Sequence, residues 1–163
     1  SRNETTIFSY HVNDPKRYGI PDFNSKGEIK KIIEKPLKPT NNLAITGMYF
    51  FDPKAIKLAK SIKASKRGEL EITDLINLYI KKYKIHIENL RRGLVWFDMG
   101  TYNSLIEAST FAQFVNNRQG LKICCPEEIA LRLNLIKPPE FLDLIKKMPI
   151  NDYSNYLLGI AKK

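Results

Sequence analysis

The stretch LAITGMYFFDPKAIKLA, residues 43–59, does most to limit what this chain can become. An apolar run ends at Asp52 and Pro53, a pair suited to starting a helix. An aspartate can accept from the first unpaired N–H groups, and a proline at the first helical position has none to leave unpaired. Ala55, Leu58, Ala59 and Ile62 then recur at the i, i+3, i+4, i+7 spacing of one helical face. The apolar run reads as a strand buried on both faces for most of its length. A strand feeding directly into an amphipathic helix is the repeating unit of a layered α/β domain.

The flanking sequence extends the pattern. TTIFSYHV (residues 5–12) is β-rich, and NDPKRYG supplies turn residues up to Gly19. IPDFNSKGEIKKIIEKP reads as a hairpin, turning at residues 24–27 and returning through Ile29, Ile32 and Ile33. RGELEITDLINLYIKKY predicts a second helix with Ile72, Leu75, Ile76, Tyr79 and Ile80 on one face. KIHIENL alternates like a half-buried strand, with His86 facing solvent, and LVWFDMG reads as a further strand stopping at Asp98. TYNSLIEASTFAQFVNNRQG places Leu105, Ala108, Ala112 and Val115 on one helical face and stops at Gly120. Three short helices, separated by prolines and capping residues, follow. The expected architecture is α/β, a mixed sheet with flanking helices and a helical C-terminal tail.

Several function classes are excluded early. No run of 18 or more apolar residues occurs, so no transmembrane helix is expected. The N-terminus, SRNETTIFSY, has neither the basic region nor the apolar core of a secretory signal. Its lack of an initiator Met suggests processing, tagging or truncation. Cys124 and Cys125 are adjacent, without Cys or His partners at zinc-ligand spacing, so reduced structural thiols in a cytoplasmic protein are expected. Twenty-seven Lys and Arg against 17 Asp and Glu give a net charge of +10. That excess favours an anionic partner, either nucleic acid or a phosphorylated small molecule, unless the lysines merely solvate helix faces. No helix-turn-helix, zinc spacing or aromatic-basic interleaving supports nucleic acid, and neither nucleic acid nor membrane is expected as a partner.

The chain has no GxGxxG, no Walker pattern and no Ser with a His and Asp partner. What remains is polar chemistry at strand ends, where α/β sheets place ligands. Glu34 and Lys35 follow an apolar strand and precede Pro36, Gly47 interrupts another, and Asp98 ends LVWF. Each has an ordinary alternative: a solvated pair before a turn, a bulge, and a cap for the helix beginning near Thr101.

Taken in order, YHVNDPKRYG, EKPLKP, AITGMYFFD, RGELEITD, VWFDMGTYNSLIEAS and RQGLKICCPEEIALR resemble the glucose-1-phosphate thymidylyltransferase family, from about Thr5 to Tyr156. The resemblance implies the second half of a nucleotidyltransferase Rossmann-like fold. Residues 1–120 would be its sugar-phosphate-binding part, and residues 121–163 a helical tail for oligomerisation and effector binding. It also implies transfer of a nucleotide from dTTP to glucose 1-phosphate with release of pyrophosphate, Mg2+ holding the anionic groups. Meeting of two anions makes positioning and charge neutralisation the main catalytic task.

By that resemblance Lys35 holds the sugar's phosphate and Glu34 accepts hydrogen bonds from its hydroxyls. Tyr18 and Gly19 form the turn against the hexose, Ile45 and Tyr49 line the pocket, and Arg67 with Glu69 approaches phosphate or sugar. Asp98 is a Mg2+ ligand. Arg91, Arg92, Glu128, Ile129 and Arg132 resemble an effector site for dTDP-rhamnose, near an interface of a homo-oligomer. Glu34, Lys35 and Asp98 are expected to converge on one hexose phosphate.

Three departures qualify the resemblance. Pro21 stands in an apolar strand, Met99 where Thr is more usual, and no Gly-rich nucleotide-binding half precedes Ser1. The 163 residues are therefore expected to be a fragment inactive alone, with the N-terminal half as a possible partner chain. The alternative is a non-catalytic sugar-phosphate or nucleotide-sugar binding subunit.

Overall fold

A computed structural model describes residues 5–65 and 68–162. These fall into two compact units, Ser1–Trp96 and Phe97–Lys163. The first holds β1 (Thr5–His11), β2 (Gly19–Phe23), β3 (Ile29–Glu34), β4 (Leu43–Phe50), α1 (Lys54–Ala59), α2 (Ile72–Lys82) and β5 (Ile85–Asn89). The second holds α3 (Tyr102–Gln119), α4 (Pro126–Arg132), α5 (Pro138–Lys146) and α6 (Asp152–Ala161).

In the first unit β1 lies between β4, antiparallel, and β5, parallel, so the sheet is mixed as expected. Alternation along β1 is clean: Thr5, Ile7 and Ser9 are buried, and Thr6, Phe8 and Tyr10 are partly exposed. Ile7, Ile32, Ile45 and Ile76 form one core cluster, drawing a side chain from β1, β3, β4 and α2. Ala55, Leu58, Leu75 and Tyr79 form a second, where α1 meets α2. The hydroxyl of Tyr79 donates to Asp52 Oδ2 at 2.8 Å, and the Asp52 N–H donates to Thr5 Oγ1 at 3.1 Å. That chain of contacts fixes the end of β4 to α2. Helix α1 starts one residue later than expected, with Pro53 at its N-cap, while the Asp52 side chain accepts from Lys54 N at 2.9 Å. Of the expected inner face only Ala55 and Leu58 are buried, Ala59 being exposed and Ile62 lying beyond α1.

The hairpin β2–β3 turns at Asn24, whose Oδ1 accepts from the N–H groups of Lys26 and Glu28, while Gly27 takes φ +78°. Only a residue without Cβ adopts that conformation cheaply. Pro21 sits within β2, opposite Ile32, and does no harm there. The Ile32 N–H and C=O point away from β2, toward Asn77. The pair is therefore a non-hydrogen-bonded one in which proline forfeits no ladder bond.

Two expectations are corrected. β4 is buried on both faces only through Ala44, Ile45 and Thr46; Met48 is 42% exposed and Phe50 61%. It is an edge strand, and the register with β1 shifts between Ile7 and Ser9, which makes Gly47 part of a bulge. The other correction concerns LVWFDMG, which forms no strand. Among the described residues no strand pairs with it, and an apolar run without a ladder partner is not a strand.

In the second unit Thr101 caps α3: its Oγ1 accepts from Ser104 N at 3.2 Å and the Ser104 side chain answers. Gly120 ends the helix at φ +66°. None of the residues expected to form the inner face of α3 is buried. The tail helices enclose Cys125, Phe141, Ile145 and Leu157. Both cysteines are free, in line with the expected reduced thiols; Cys125 is buried and Cys124 exposed. Among the described residues no helix is long and apolar enough to cross a membrane.

Candidate functional site

Antiparallel register puts Gly19 opposite Glu34 at the end of the hairpin away from its turn. Like the Pro21 pair, this is a close non-hydrogen-bonded pair, and the Glu34 side chain lies across the glycine. A Cβ on residue 19 would fall 3.2 Å from Glu34 Oε2 and 3.1 Å from the Ile32 side chain. Glycine at 19 thus leaves room for the close approach of a carboxylate, and a Cβ there would make the neighbouring side chains give by a few tenths of an ångström, a physical use that the sequence alone left open. Glu34 Oε2 accepts from the buried Thr73 hydroxyl at 2.6 Å, which sets the carboxylate's orientation from α2. Its other oxygen carries no hydrogen bond among the described residues.

Lys35 follows directly. Its N–H donates to Tyr18 C=O at 3.0 Å, closing the ladder, and its φ is +44°. For a lysine ahead of proline this left-handed backbone costs about 1–3 kcal/mol. Both Glu34 and Lys35 are exposed, so the strand end presents a held carboxylate beside an ammonium. Tyr49 is half-buried nearby; burial, and then the negative charge of Glu34, push its hydroxyl pKa upward. Tyr18 is half-buried, with the Arg17 guanidinium 5.6 Å from its ring centre. Trp96 meets Tyr18 edge-on at 5.3 Å and Tyr10 at 5.9 Å.

The structure therefore gathers Tyr18, Gly19, Glu34, Lys35 and Tyr49 at one end of the first unit. Ile45 is mostly buried in the isoleucine cluster and contributes through packing. Glu69 is exposed, and its carbonyl accepts from Ser65 N at 2.8 Å. Arg67 lies outside the described residues. Thr73, Asn77 and Trp96 were not singled out by sequence. The available signal was the i, i+4 pair of polar residues, Thr73 and Asn77, beside the apolar face of α2.

Asp98 belongs to the second unit and is half-buried. Its carboxylate would lie 3.3 Å from a Cβ on Gly100, so a glycine two residues on makes room for it. The cap of α3 is Thr101, which removes helix capping as the ordinary explanation of Asp98. Among the described residues no three His, Cys, Asp or Glu side chains come together as a metal site. These residues alone do not fit a complete Mg2+ site: Asp98 offers one carboxylate.

Of the expected effector residues, Arg91 and Arg92 are exposed in the first unit, at a turn where Leu94 N donates to Arg91 C=O. Glu128, Ile129 and Arg132 share α4 in the second. Glu128 is 8% exposed, its Oε1 accepting from Arg132 Nε at 2.8 Å and its Oε2 from the Tyr156 hydroxyl. Ile129 is exposed. Burial, and then the bond to Glu128, raise the Tyr156 pKa.

Residues 1–114 match the family described as nucleotidyl transferase. A glucose-1-phosphate thymidylyltransferase of Xanthomonas campestris is 47% identical over 97% of this chain and 54% of its own length. A crystal structure from Bacillus anthracis, determined with sucrose and described as that of a glucose-1-phosphate thymidylyltransferase, superposes with a TM-score of 0.59 at 35% identity. It covers 69% of this chain and 44% of the other. UDP-glucose pyrophosphorylase in complex with UDP-glucose gives the same TM-score at 25% identity, covering 71% and 45%. The chain spans about half the length of the curated relatives it matches. Matched by the family over residues 1–114 and 47% identical to a relative over 97% of its own length, this chain belongs to the nucleotidyl transferase family.

Proposed function

We propose that this chain supplies the sugar-1-phosphate side of a glucose-1-phosphate thymidylyltransferase. The observation that carries the reading is the β2–β3 end: Glu34 held by Thr73 across Gly19, with Lys35 beside it in a left-handed backbone. A hexose phosphate needs a carboxylate acceptor for hydroxyls and a cation for its phosphate, on a surface that admits close approach. In the reaction a phosphate oxygen of glucose 1-phosphate attacks the α-phosphorus of dTTP. A new P–O bond forms as the bond to the β-phosphate oxygen breaks, and pyrophosphate leaves. Lys35 offsets repulsion between the two anions, and Glu34 orients the ring so that its phosphate faces the nucleotide.

Mg2+ would lower the charge of the triphosphate, with Asp98 as one ligand and the others from outside the described residues. No Gly-rich phosphate loop lies within the 163 residues, so the nucleotide is held by residues other than these, and the chain assayed alone gives no turnover. The tail, residues 121–163, is read as an assembly and effector element of a cytoplasmic homo-oligomer. The buried Glu128, fixed by Arg132 and Tyr156, is its candidate contact for dTDP-rhamnose.

The test is calorimetric titration with glucose 1-phosphate. Saturable binding is expected, weakened at least about tenfold in Lys35→Ala, the scale of a lost charge-assisted contact. Equal binding by both proteins would overturn the assignment.

A further inference from the structure

Asn77 makes contacts that the substrate reading does not use. It lies one helical turn beyond Thr73 on α2, so the two side chains leave the helix on the same face. Thr73 holds Glu34, and Asn77 holds Ile32, two residues earlier on β3. Asn77 Oδ1 accepts from Ile32 N–H at 2.7 Å, and its Nδ2 donates to Ile32 C=O at 2.8 Å. The i, i+4 rise of the helix, about 6 Å, comes close to the i, i+2 advance of the strand, about 7 Å. The carboxamide thus takes the place of a neighbouring strand on the open edge of β3. Both backbone groups would otherwise be unpaired around a side chain that is 3% exposed.

We propose that Asn77 is a positioning residue for the sugar-phosphate site, acting through β3. The inference rests on the substrate reading of Glu34 and Lys35 given above. β3 is held at Ile32 from α2 on its open edge and paired with β2 through alternate residues on the other, the last of these bonds being Lys35 N–H to Tyr18 C=O. The strand's final residues therefore have little freedom to shift along the sheet. The left-handed Lys35 needs such a frame, because the following Pro36 does not favour it. Loss of the carboxamide releases the strand end, and the carboxylate and ammonium lose their relative placement although both remain. Misplacement of binding groups by about 1 Å is enough to cost one to two orders of magnitude.

Asn77→Leu removes both hydrogen bonds at similar volume, and Asn77→Asp keeps the acceptor for Ile32 N–H while removing the donor. Tyr79→Phe, on the same helix but directed at Asp52, serves as the control that destabilises without touching β3. Affinity for glucose 1-phosphate is expected to fall about tenfold in Asn77→Leu and less in Asn77→Asp, and to stay within twofold of the unmodified chain in Tyr79→Phe. Hydrogen exchange at the Lys35 amide should quicken in the Asn77 variants and not in the control. Should Asn77→Leu fail to fold, Asn77→Asp carries the test. Unchanged affinity and exchange in a folded Asn77 variant would overturn the inference while leaving the substrate reading intact. Absence of any binding by the unmodified chain would instead overturn the substrate reading, and this inference with it.

Discussion

The two compact units divide the chain's chemistry unevenly. The first, residues 1–96, carries nineteen Lys and Arg against ten Asp and Glu, a net of nine. The second, residues 97–163, carries eight against seven, a net of one. Nearly all the positive charge therefore sits with the unit whose strand end carries Glu34 and Lys35. The second unit spends its carboxylates internally: Glu127 accepts from the Tyr153 hydroxyl, and Glu128 from Tyr156 and Arg132. A surface with unspent cations draws anions; a set of carboxylates tied to hydroxyls holds helices together.

The largest expected effect breaks this comparison if the units are not independent in function. Phe141→Ala empties a fully buried position in the tail core and should cost about 3–5 kcal/mol in thermal unfolding. Glucose 1-phosphate affinity, a property assigned to the first unit, should survive it. A parallel loss of affinity would show that the binding unit depends on the tail.

Next is Tyr79→Phe, which removes the hydroxyl joining α2 to Asp52 and should cost about 1 kcal/mol. The same contact gives a pH signature. Burial raises the Asp52 pKa, but the Tyr79 hydroxyl, Lys54 and its backbone N–H outweigh that and hold it below the usual carboxylate range. A group depressed on folding stabilises above its unfolded pKa, near 4, and loses that contribution as pH falls through the folded value. The first unit should thus weaken below about pH 4, read by the fluorescence of Trp96, the sole tryptophan. In Tyr79→Phe the folded Asp52 pKa moves back toward the unfolded one, so the stability lost on acidification should be smaller; an unchanged limb would remove Asp52 as its source. In the second unit the alkaline limb is the marked one. Burial, and then Cys125 and Glu127, push the Tyr153 pKa far upward. That stability is complete below the unfolded tyrosine pKa near 10 and is lost as pH rises beyond it.

The smallest effect sharpens the site itself. Gly19→Ala places a methyl against the Glu34 carboxylate and should weaken glucose 1-phosphate binding about threefold with little change in melting temperature. Unaltered binding would mean that the carboxylate is not used at the position observed.

Much of the fold was legible because periodicity and punctuation agreed: the Asn24 turn, the helix start near Asp52-Pro53, the face of α2 through Leu75, Ile76 and Tyr79 (Ile72, expected on it, is exposed) and the Gly120 stop all carry local signals. What was not legible depends on neighbours. Burial on both faces of β4 cannot be read from its composition when one edge lies open. The strand expected of LVWF needs a partner that the described residues do not provide. Glu34 and Lys35 were visible as a motif, whereas the uses of Gly19, Thr73 and Asn77 appear only when register sets a helix turn against a strand end.

The most direct test follows backbone amide shifts by NMR as glucose 1-phosphate is titrated into the unmodified chain and Lys35→Ala. The account predicts saturable shifts at Tyr18, Gly19 and Glu34, none at Tyr156 or Leu157, and their disappearance in the variant. Shifts spread equally over both units, or persisting without the Lys35 ammonium, would contradict it.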